Sequence, residues 1–397
     1  MTKIINTSPI PENTALPGDL VCFSHLRWNF VYQRPQHLLS RFAKANRVFF
    51  IEEPVFSESP DSLQITLTEE NVLVVIPQLQ TGEETKNKED RLYHLVSRLF
   101  SQMQVNQYIF WYYTPMALAF TGKFNPTVII YDCMDELSAF KFAPPELKTL
   151  EASLMKSADV VFTGGQSLYE AKKDLHPNIH PFPSSIDKEH FNRARLKTSD
   201  PADQQSIPHP RFGFYGVIDE RFDIDLIKKV AEKKPDWHFV LVGPVVKIDP
   251  ATLPKNKNIH YLGGKSYQEL PSYLSGWDVA IIPFALNEST RFISPTKTPE
   301  YLAAGKPVIS TSIRDVVNPY GKLELVHIAD TADEFIKAGN AELDGKDKSS
   351  WKTKTDEFLK ELSWDNTWKR MMELIGQCFA QNDNTTTTIK TKEKQYV

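Results

Sequence analysis

Residues 279–312 read VAIIPFALNESTRFISPTKTPEYLAAGKPVISTS. An apolar run, VAIIPFA (279–285), is followed by a polar loop, a short helix-forming stretch and a second run, PVISTS (307–312). The first run lacks polar alternation, the pattern of a strand covered on both faces in a parallel sheet. A strand–helix–strand unit of this kind puts the loop at the carboxyl edge of the sheet, where open α/β sheets bind ligands. Ser294 reads as the N-cap and Pro295 as the first helical residue, with Thr296 and Lys297 in the first turn. Gly305 closes the helix and Pro307 opens the next strand.

The same alternation extends in both directions. Strands are expected at 19–25, 47–53, 72–77, 108–113, 128–133 and 159–164, then at 211–218, 238–244, 259–264, 279–285, 307–312 and 325–330. A helix over 91–103 would align Leu92, Leu95, Val96, Leu99 and Met103, and LQITLTEENVLVVIP reads as a hairpin turned at Glu69–Asn71. Two runs of strand–helix alternation imply two doubly wound, Rossmann-like α/β domains. The expected boundaries are 1–200 for the first, with a crossover helix near 364–380, and 207–363 for the second. Polar, proline-rich 197–210 is the expected linker, and 381–397, poor in apolar residues, the expected disordered tail.

Composition narrows the function. A chain of 397 residues exceeds one core. Its net charge of −4 argues against a general nucleic-acid binder, which needs a basic face. Cys22, Cys133 and Cys378 form no CxxC pair, which fits a reducing compartment. No apolar run reaches the roughly 20 residues that span a bilayer. The expectation is a cytoplasmic protein, with peripheral contact at the inner face of a membrane left open.

The chemistry concentrates at the helix start near Ser294. Free N–H groups there would attract phosphate, and Lys297 adds a positive charge. Glu300, three residues on, shares its face, and a carboxylate there can accept two hydrogen bonds from a vicinal diol such as ribose. The plainer alternative is a capped helix with a surface ion pair worth little.

The run from Pro295 through Lys297 to EYLAAGKPV, ending at Val308, resembles the glycosyltransferases of family four (group 1), retaining enzymes of the two-lobed GT-B fold. SADVVFTGGQSLYEAKK (157–173), PFPSSIDKEHF (181–191), RFGFYGVIDERFDIDLI (211–227) and SWDNTW (363–368) match further segments of that family in the same order. The QRPQHL run resembles a branch that builds surface polysaccharides, of the teichuronic acid type. The resemblance implies a nucleotide-diphosphate sugar as donor, a glycan or lipid-linked acceptor, and no metal or other cofactor. It gives Glu300 the donor ribose, and Gly216, Arg221, Ser294, Pro295, Thr296 and Lys297 the rest of the donor site. Arg221 and Lys297 would meet the charge growing on the departing diphosphate. Two features depart from the family: Phe292 stands where many members carry a further glutamate, with Glu288 nearby, and VIDERF follows Gly216 in place of an Arg–Lys pair.

The first domain is expected to hold the acceptor. SHLRWNFVYQRPQHLLSRF (24–42) follows its first strand and contains no glycine, so a dinucleotide fingerprint is absent. His25, Trp28 and Arg34 are the acceptor candidates: Trp28 could stack on a sugar, or pack its own loop, and Arg34 could meet a phosphate. Asp132 and Asp135, in YDCMDE (131–136), are candidate acceptor-orienting groups or bases, with helix capping the alternative for Asp135. Asp223-Ile-Asp225 looks like a metal motif but opens a helix, where acids complement the dipole. His176 and His180 are separated by a proline that breaks a ligand helix. Two other functions stay open: a GT-B nucleotide-sugar epimerase and a catalytically silent binding subunit. The sugar, the base, the acceptor and the oligomeric state are not legible.

Overall fold

The protein was analysed as a computed structural model, which describes residues 15–82, 87–196, 199–344 and 348–393, with side chains through residue 381. Nine strands build the first sheet: β1 (Asp19–Ser24), β2 (Val48–Glu52), β3 (Val55–Ser57), β4 (Ser62–Leu67), β5 (Val72–Gln80), β6 (Tyr108–Tyr112), β7 (Val128–Cys133), β8 (Val160–Thr163) and β9 (Ile179–Pro181). Their order is β3-β5-β2-β1-β6-β7-β8-β9, parallel throughout, with β4 added antiparallel to β5. The register places Leu20 opposite Val48 on one side and Ile109 on the other. Apolar cores lie on both faces of the sheet, which is why its central strands carry no polar alternation.

Six strands build the second sheet: β10 (Arg211–Tyr215), β11 (His238–Val242), β12 (Ile259–Gly263), β13 (Val279–Ile282), β14 (Val308–Ser310) and β15 (His327–Ile328). They run β12-β11-β10-β13-β14-β15, all parallel. In both sheets the chain reverses its direction of strand addition beside the first strand, at β1/β6 and at β10/β13. A crevice opens at such a switch point because the flanking helices leave to opposite faces. All twelve expected strands are present, and the 62–80 hairpin turns through Asn71 at φ 62°. β3 and β9 were not anticipated, since three residues carry too little pattern. The helix Lys88–Gln102 buries Leu92, Leu95, Val96 and Leu99 as expected.

The polar stretch 197–210 is not a free linker. Lys197 and Thr198 lie outside the described residues, but the rest packs on the second lobe. Gln204 accepts from Trp277 Nε1 at 2.9 Å and donates to the Tyr273 carbonyl, and Asp200 pairs with Arg211 at 2.6 Å. Its polarity serves buried hydrogen bonds instead of solvent.

The last helix runs Trp364–Glu393 and returns to the first lobe. There Trp364, Met371, Met372 and Ile375 join Leu38, Leu39, Phe42 and Phe162. Residues 381–393, the first part of the expected tail, continue this helix. Residues 394–397 lie outside the described residues.

Candidate functional site

The site forms where the two switch points face each other. β10 ends at Tyr215–Gly216 and β11 at Val242–Gly243, and both glycines hold positive φ, 136° and 146°. A Cβ on Gly243 would fall 1.9 Å from the Gly216 carbonyl oxygen, and one on Gly216 would fall 2.4 Å from Lys297 Cε. The two turns therefore lie flat against each other with Lys297 laid across them, leaving bare backbone at the sheet edge. Lys297 Nζ sits 5.5 Å from the ring centres of Phe214 and Phe284.

The helix after β13 spans Lys297–Ala303, later than the expected start at Ser294. Thr296 takes the cap position with helical φ and ψ and without a side-chain cap bond. Pro295 still opens a tight turn, its carbonyl accepting from Thr298 N at 3.2 Å. Ser294 caps nothing; its carbonyl accepts from Ser184 Oγ at 3.3 Å, tying the helix start to the segment leaving the first lobe. The expected cap fails because the helix starts two residues later, with Thr296 in the cap position, so Ser294 is not the residue whose side chain faces the first-turn N–H groups. A helix of seven residues contributes little dipole, so any attraction for an anion here would come from the side-chain cations and the glycine backbones.

Glu300 is buried, 6 % exposed, and accepts a short hydrogen bond from the Tyr215 hydroxyl. Burial raises its pKa, against that bond and the Lys297 charge. Burial and neighbouring Arg221 lower the Lys297 pKa, with Glu300, Asp219 and Asp135 opposing. Arg221 is held by Asp219, Nη2 to Oδ2 at 2.7 Å, and its guanidinium lies 5.6 Å from the Phe140 ring centre of the first lobe. Asp219 thus neutralises part of the charge expected to meet a diphosphate.

From the first lobe, His25 and Asp135 reach the same cleft as Gly216, Arg221, Thr296, Lys297 and Glu300. Burial lowers His25 to about 4, so its imidazole is neutral near pH 7, and its buried Nδ1 lacks a partner. Burial raises the Asp135 carboxyl, against the pull of Arg221 and Arg34. Asp135 is therefore a cleft carboxylate with enhanced basicity.

Three expectations are corrected. Asp132 is fully buried and gripped by Arg34, with Nε and Nη2 to the carboxylate at 2.8–3.1 Å. Arg34 also donates to the Phe182 carbonyl at 2.7 Å. Each of these charges satisfies the other inside the first lobe, so neither is available to an acceptor. Trp28 is 6 % exposed and packs edge-on against Phe50, 5.0 Å between centres. It packs in the first lobe's core and still borders the cleft, while the exposed ring of that loop is Phe30.

Glu288 is a surface residue 3.6 Å from Arg291, and Phe292 packs against the first lobe's core. Asp223 caps the helix Ile224–Lys233 through Leu226 N at 2.8 Å. His176 bonds the Ala158 carbonyl and His180 bonds Asn178, so both are structural. Among the described residues no group of three or more His, Cys, Asp or Glu is arranged to hold a metal ion.

The cleft has two compartments, of about 700 and 400 Å³, which meet at Tyr32, Tyr215, Gly216 and Tyr267. Tyr32 of the first lobe stacks on Tyr267 of the second, 4.6 Å apart. The larger compartment is walled by the ends of β10 and β11 and by the 66–70 hairpin tip of the first lobe. Tyr215, Tyr267 and Gly243 were not singled out in the sequence. Gly243 alone had a signal, since HFVLVG (238–243) ends on glycine as RFGFYG (211–216) does.

This arrangement is the GT-B fold: two Rossmann-like lobes with the ligand crevice between their switch points. The chain is similar to sucrose-phosphate synthase from Thermosynechococcus elongatus, with TM-score 0.67, 14% identity, and 92% of this chain and 100% of that one covered. It is also similar to HepE from Anabaena, solved in complex with UDP and glucose, with TM-score 0.63, 14% identity, and 90% and 99% covered. A Bacillus subtilis (strain 168) protein, named provisionally as a teichuronic acid biosynthesis glycosyltransferase, is 26% identical over 285 residues, 67% of this chain and 71% of its own length. Residues 210–341 match the family model described as Glycosyl transferases group 1. The chain is a glycosyltransferase of the GT-B fold whose C-terminal lobe is a group 1 domain.

Proposed function

We propose that the protein transfers a sugar, with retention of configuration, from a nucleotide-diphosphate sugar to an acceptor held by the first lobe, as a step in building a surface polysaccharide. The observation carrying this reading is the Glu300–Tyr215 pair beside Lys297 at the β10/β13 switch point. Glu300 would accept the two ribose hydroxyls in place of the Tyr215 hydroxyl or alongside it. The diphosphate would then lie beside the Gly216 and Gly243 turns, with Lys297 and Arg221 opposite its oxygens. Negative charge growing on the leaving phosphate meets cations already in position, which stabilises the transition state without reorganisation. The reaction would need neither a metal nor another cofactor.

His25 and Asp135 face this point from the other lobe. Asp135, whose carboxylate burial makes more basic, can take the proton of an acceptor hydroxyl, and the neutral His25 imidazole can help orient that hydroxyl. The product reading, a surface polysaccharide, rests on the likeness to the Bacillus subtilis relative.

The test is transfer by Lys297→Ala and Glu300→Ala measured against the wild type, with nucleotide affinity determined in parallel. Both variants are expected to fold and to lose at least about a hundredfold in kcat/KM, near 2.7 kcal/mol. Wild-type turnover in either would sink the assignment. Donor incubated alone should return unchanged; an isomerised nucleotide sugar would mean an epimerase.

A further inference from the structure

Asp135 reaches the cleft with no hydrogen bond to its own carboxylate among the described residues; Arg221 and Arg34 act on it through charge. Its place is therefore set by the backbone on either side. The turn that follows, Leu137–Ala139, buries none of its side chains, and Glu136 and Ser138 border a cavity of about 490 Å³ together with Lys148, Glu151 and Met155. A segment with so little apolar packing keeps one position only if polar ties hold it.

One buried ammonium supplies those ties. Lys172, 5 % exposed, closes the helix Gln166–Lys172 and takes no part in the transfer chemistry described above. Its Nζ pairs with Glu136 Oε2 at 2.7 Å and with Glu151 Oε1 at 2.9 Å. Glu136 also accepts from Ser138 Oγ at 2.6 Å, and Glu151 accepts from the hydroxyl of Tyr131, on β7, at 2.8 Å. Against its burial, the Lys172 and Ser138 donors hold the Glu136 carboxyl below the usual carboxylate range. Lys172 thus fastens the residue after Asp135 to the strand before it. Ahead of Asp135 the fit is as close: a Cβ on Gly164 would fall 2.1 Å from the Met134 carbonyl oxygen, and Gly164 N donates to the Cys133 carbonyl at 2.8 Å.

The other end of that helix meets the donor lobe. Asp315 Oδ1 accepts from Ser167 N at 3.0 Å, Arg314 pairs with Glu170, and a Cβ on Gly165 would fall 2.8 Å from Ser294 Cβ. One short helix therefore touches the donor lobe at Ser294, just before Lys297, and about two turns on grips the loop of Asp135. We propose that Lys172 is a positioning residue for the transfer: through Glu136 it sets where the Asp135 carboxylate stands across the cleft from Lys297. The inference rests on the reading of Asp135 as the group that takes the acceptor proton, a role in which a misplacement of about 1 Å can cost about a hundredfold in rate.

Crystal structures of the full chain and its variants test this whatever the acceptor is. In Glu136→Ala, where Lys172 keeps Glu151 as its partner and the fold is retained, the Asp135 carboxylate should shift by about 1 Å or more. Glu136→Gln leaves an oxygen for Lys172 and should keep Asp135 in place. Lys172→Met should displace it as Glu136→Ala does; if the two facing carboxylates then prevent folding, Glu136→Ala carries the test alone. Release of UDP from UDP-glucose, with water as the acceptor, gives the kinetic reading. Glu136→Ala should lower kcat about tenfold or more with KM unchanged, and Glu136→Gln should recover most of it. An unmoved Asp135 in Glu136→Ala would overturn the inference, as would an unchanged kcat in that variant where Asp135→Asn has lost it. Wild-type turnover by Asp135→Asn, with Asp135 displaced in Glu136→Ala, would instead strike the proton-taking role and leave the placement standing. Where water does not accept the sugar from the wild type, the crystallographic position of Asp135 decides by itself.

Discussion

Tyr215 and Glu300 form the contact on which the donor site turns, and each can be tested singly. Tyr215→Phe removes the hydroxyl that holds the carboxylate, while its ring still packs 5.0 Å from that of Tyr301. A hydrogen bond to a charged group contributes about 1.5–3 kcal/mol, so nucleotide affinity should fall about tenfold or more with little change in melting temperature. Equal affinity in a calorimetric titration would show that Glu300 needs no such support. Proton linkage gives a second test. A diphosphate favours protonated Lys297, whose pKa is lowered, so binding should weaken as pH rises through that depressed value. Ribose favours ionised Glu300, whose pKa is raised, so binding should also weaken as pH falls through that elevated value. The expected affinity profile is a bell, and binding on its alkaline side should take up a proton, seen as a buffer-dependent heat. An affinity that stays level through both titrations would contradict the buried placement of both groups.

At the scale of elements, the strand ends and helix starts carry the argument. Gly216→Ala and Gly243→Ala each put a methyl group into occupied space at a positive φ, against Lys297 in one case and against the Gly216 carbonyl in the other. Either should abolish nucleotide binding; Gly243→Ala should also destabilise the second lobe, because its clash is with backbone. Ligand-induced thermal shifts measure both effects at once. The acidic pair Asp223-Ile-Asp225 gives a contrasting case. Asp223 caps its helix, so Asp223→Ala should cost about 1 kcal/mol of stability. Transfer should be retained, in EDTA as in magnesium. Loss of transfer by chelation would revive a metal role for these acids.

Across the whole molecule, buried polar contacts hold the first lobe and its cleft wall in place. The Arg34–Asp132 pair joins the first helix of that lobe to the end of β7. Removing one partner leaves a buried charge, so Arg34→Ala should destabilise by about 3–5 kcal/mol, read from denaturant melts. The paired change Arg34→Met with Asp132→Leu should recover most of that loss. If these residues instead handled the acceptor, the double variant would fold yet lose turnover completely. The lobes are also joined by an aromatic chain: Trp364 stacks on His37 at 4.7 Å, Tyr32 on Tyr267 at 4.6 Å, and Tyr267 on His190 at 4.1 Å. Crossing between lobes beside the cleft, it couples the terminal helix to the donor lobe.

Read alone, the chain determined the strand order in time, the two α/β halves and the run from Pro295 to Val308, because these are local patterns: apolar runs, breakers and short spacings. Glu300, Lys297 and Asp135 were picked out for that reason, each sitting at the end of a recognisable strand or the start of a recognisable helix, whereas Gly216 came from the family resemblance. Which charges are free was decided only by tertiary structure. Arg34 and Asp132 looked like cleft chemistry, yet they lie 98 residues apart and neutralise each other in the core. Trp28 looked like a sugar platform until Phe50 covered it, and Tyr215 became the partner of Glu300 only when β10 came to lie beside the helix bearing it. The physical reason is common to all three: burial and pairing depend on what other parts of the chain bring within a few ångströms, and one-dimensional spacing carries no record of that.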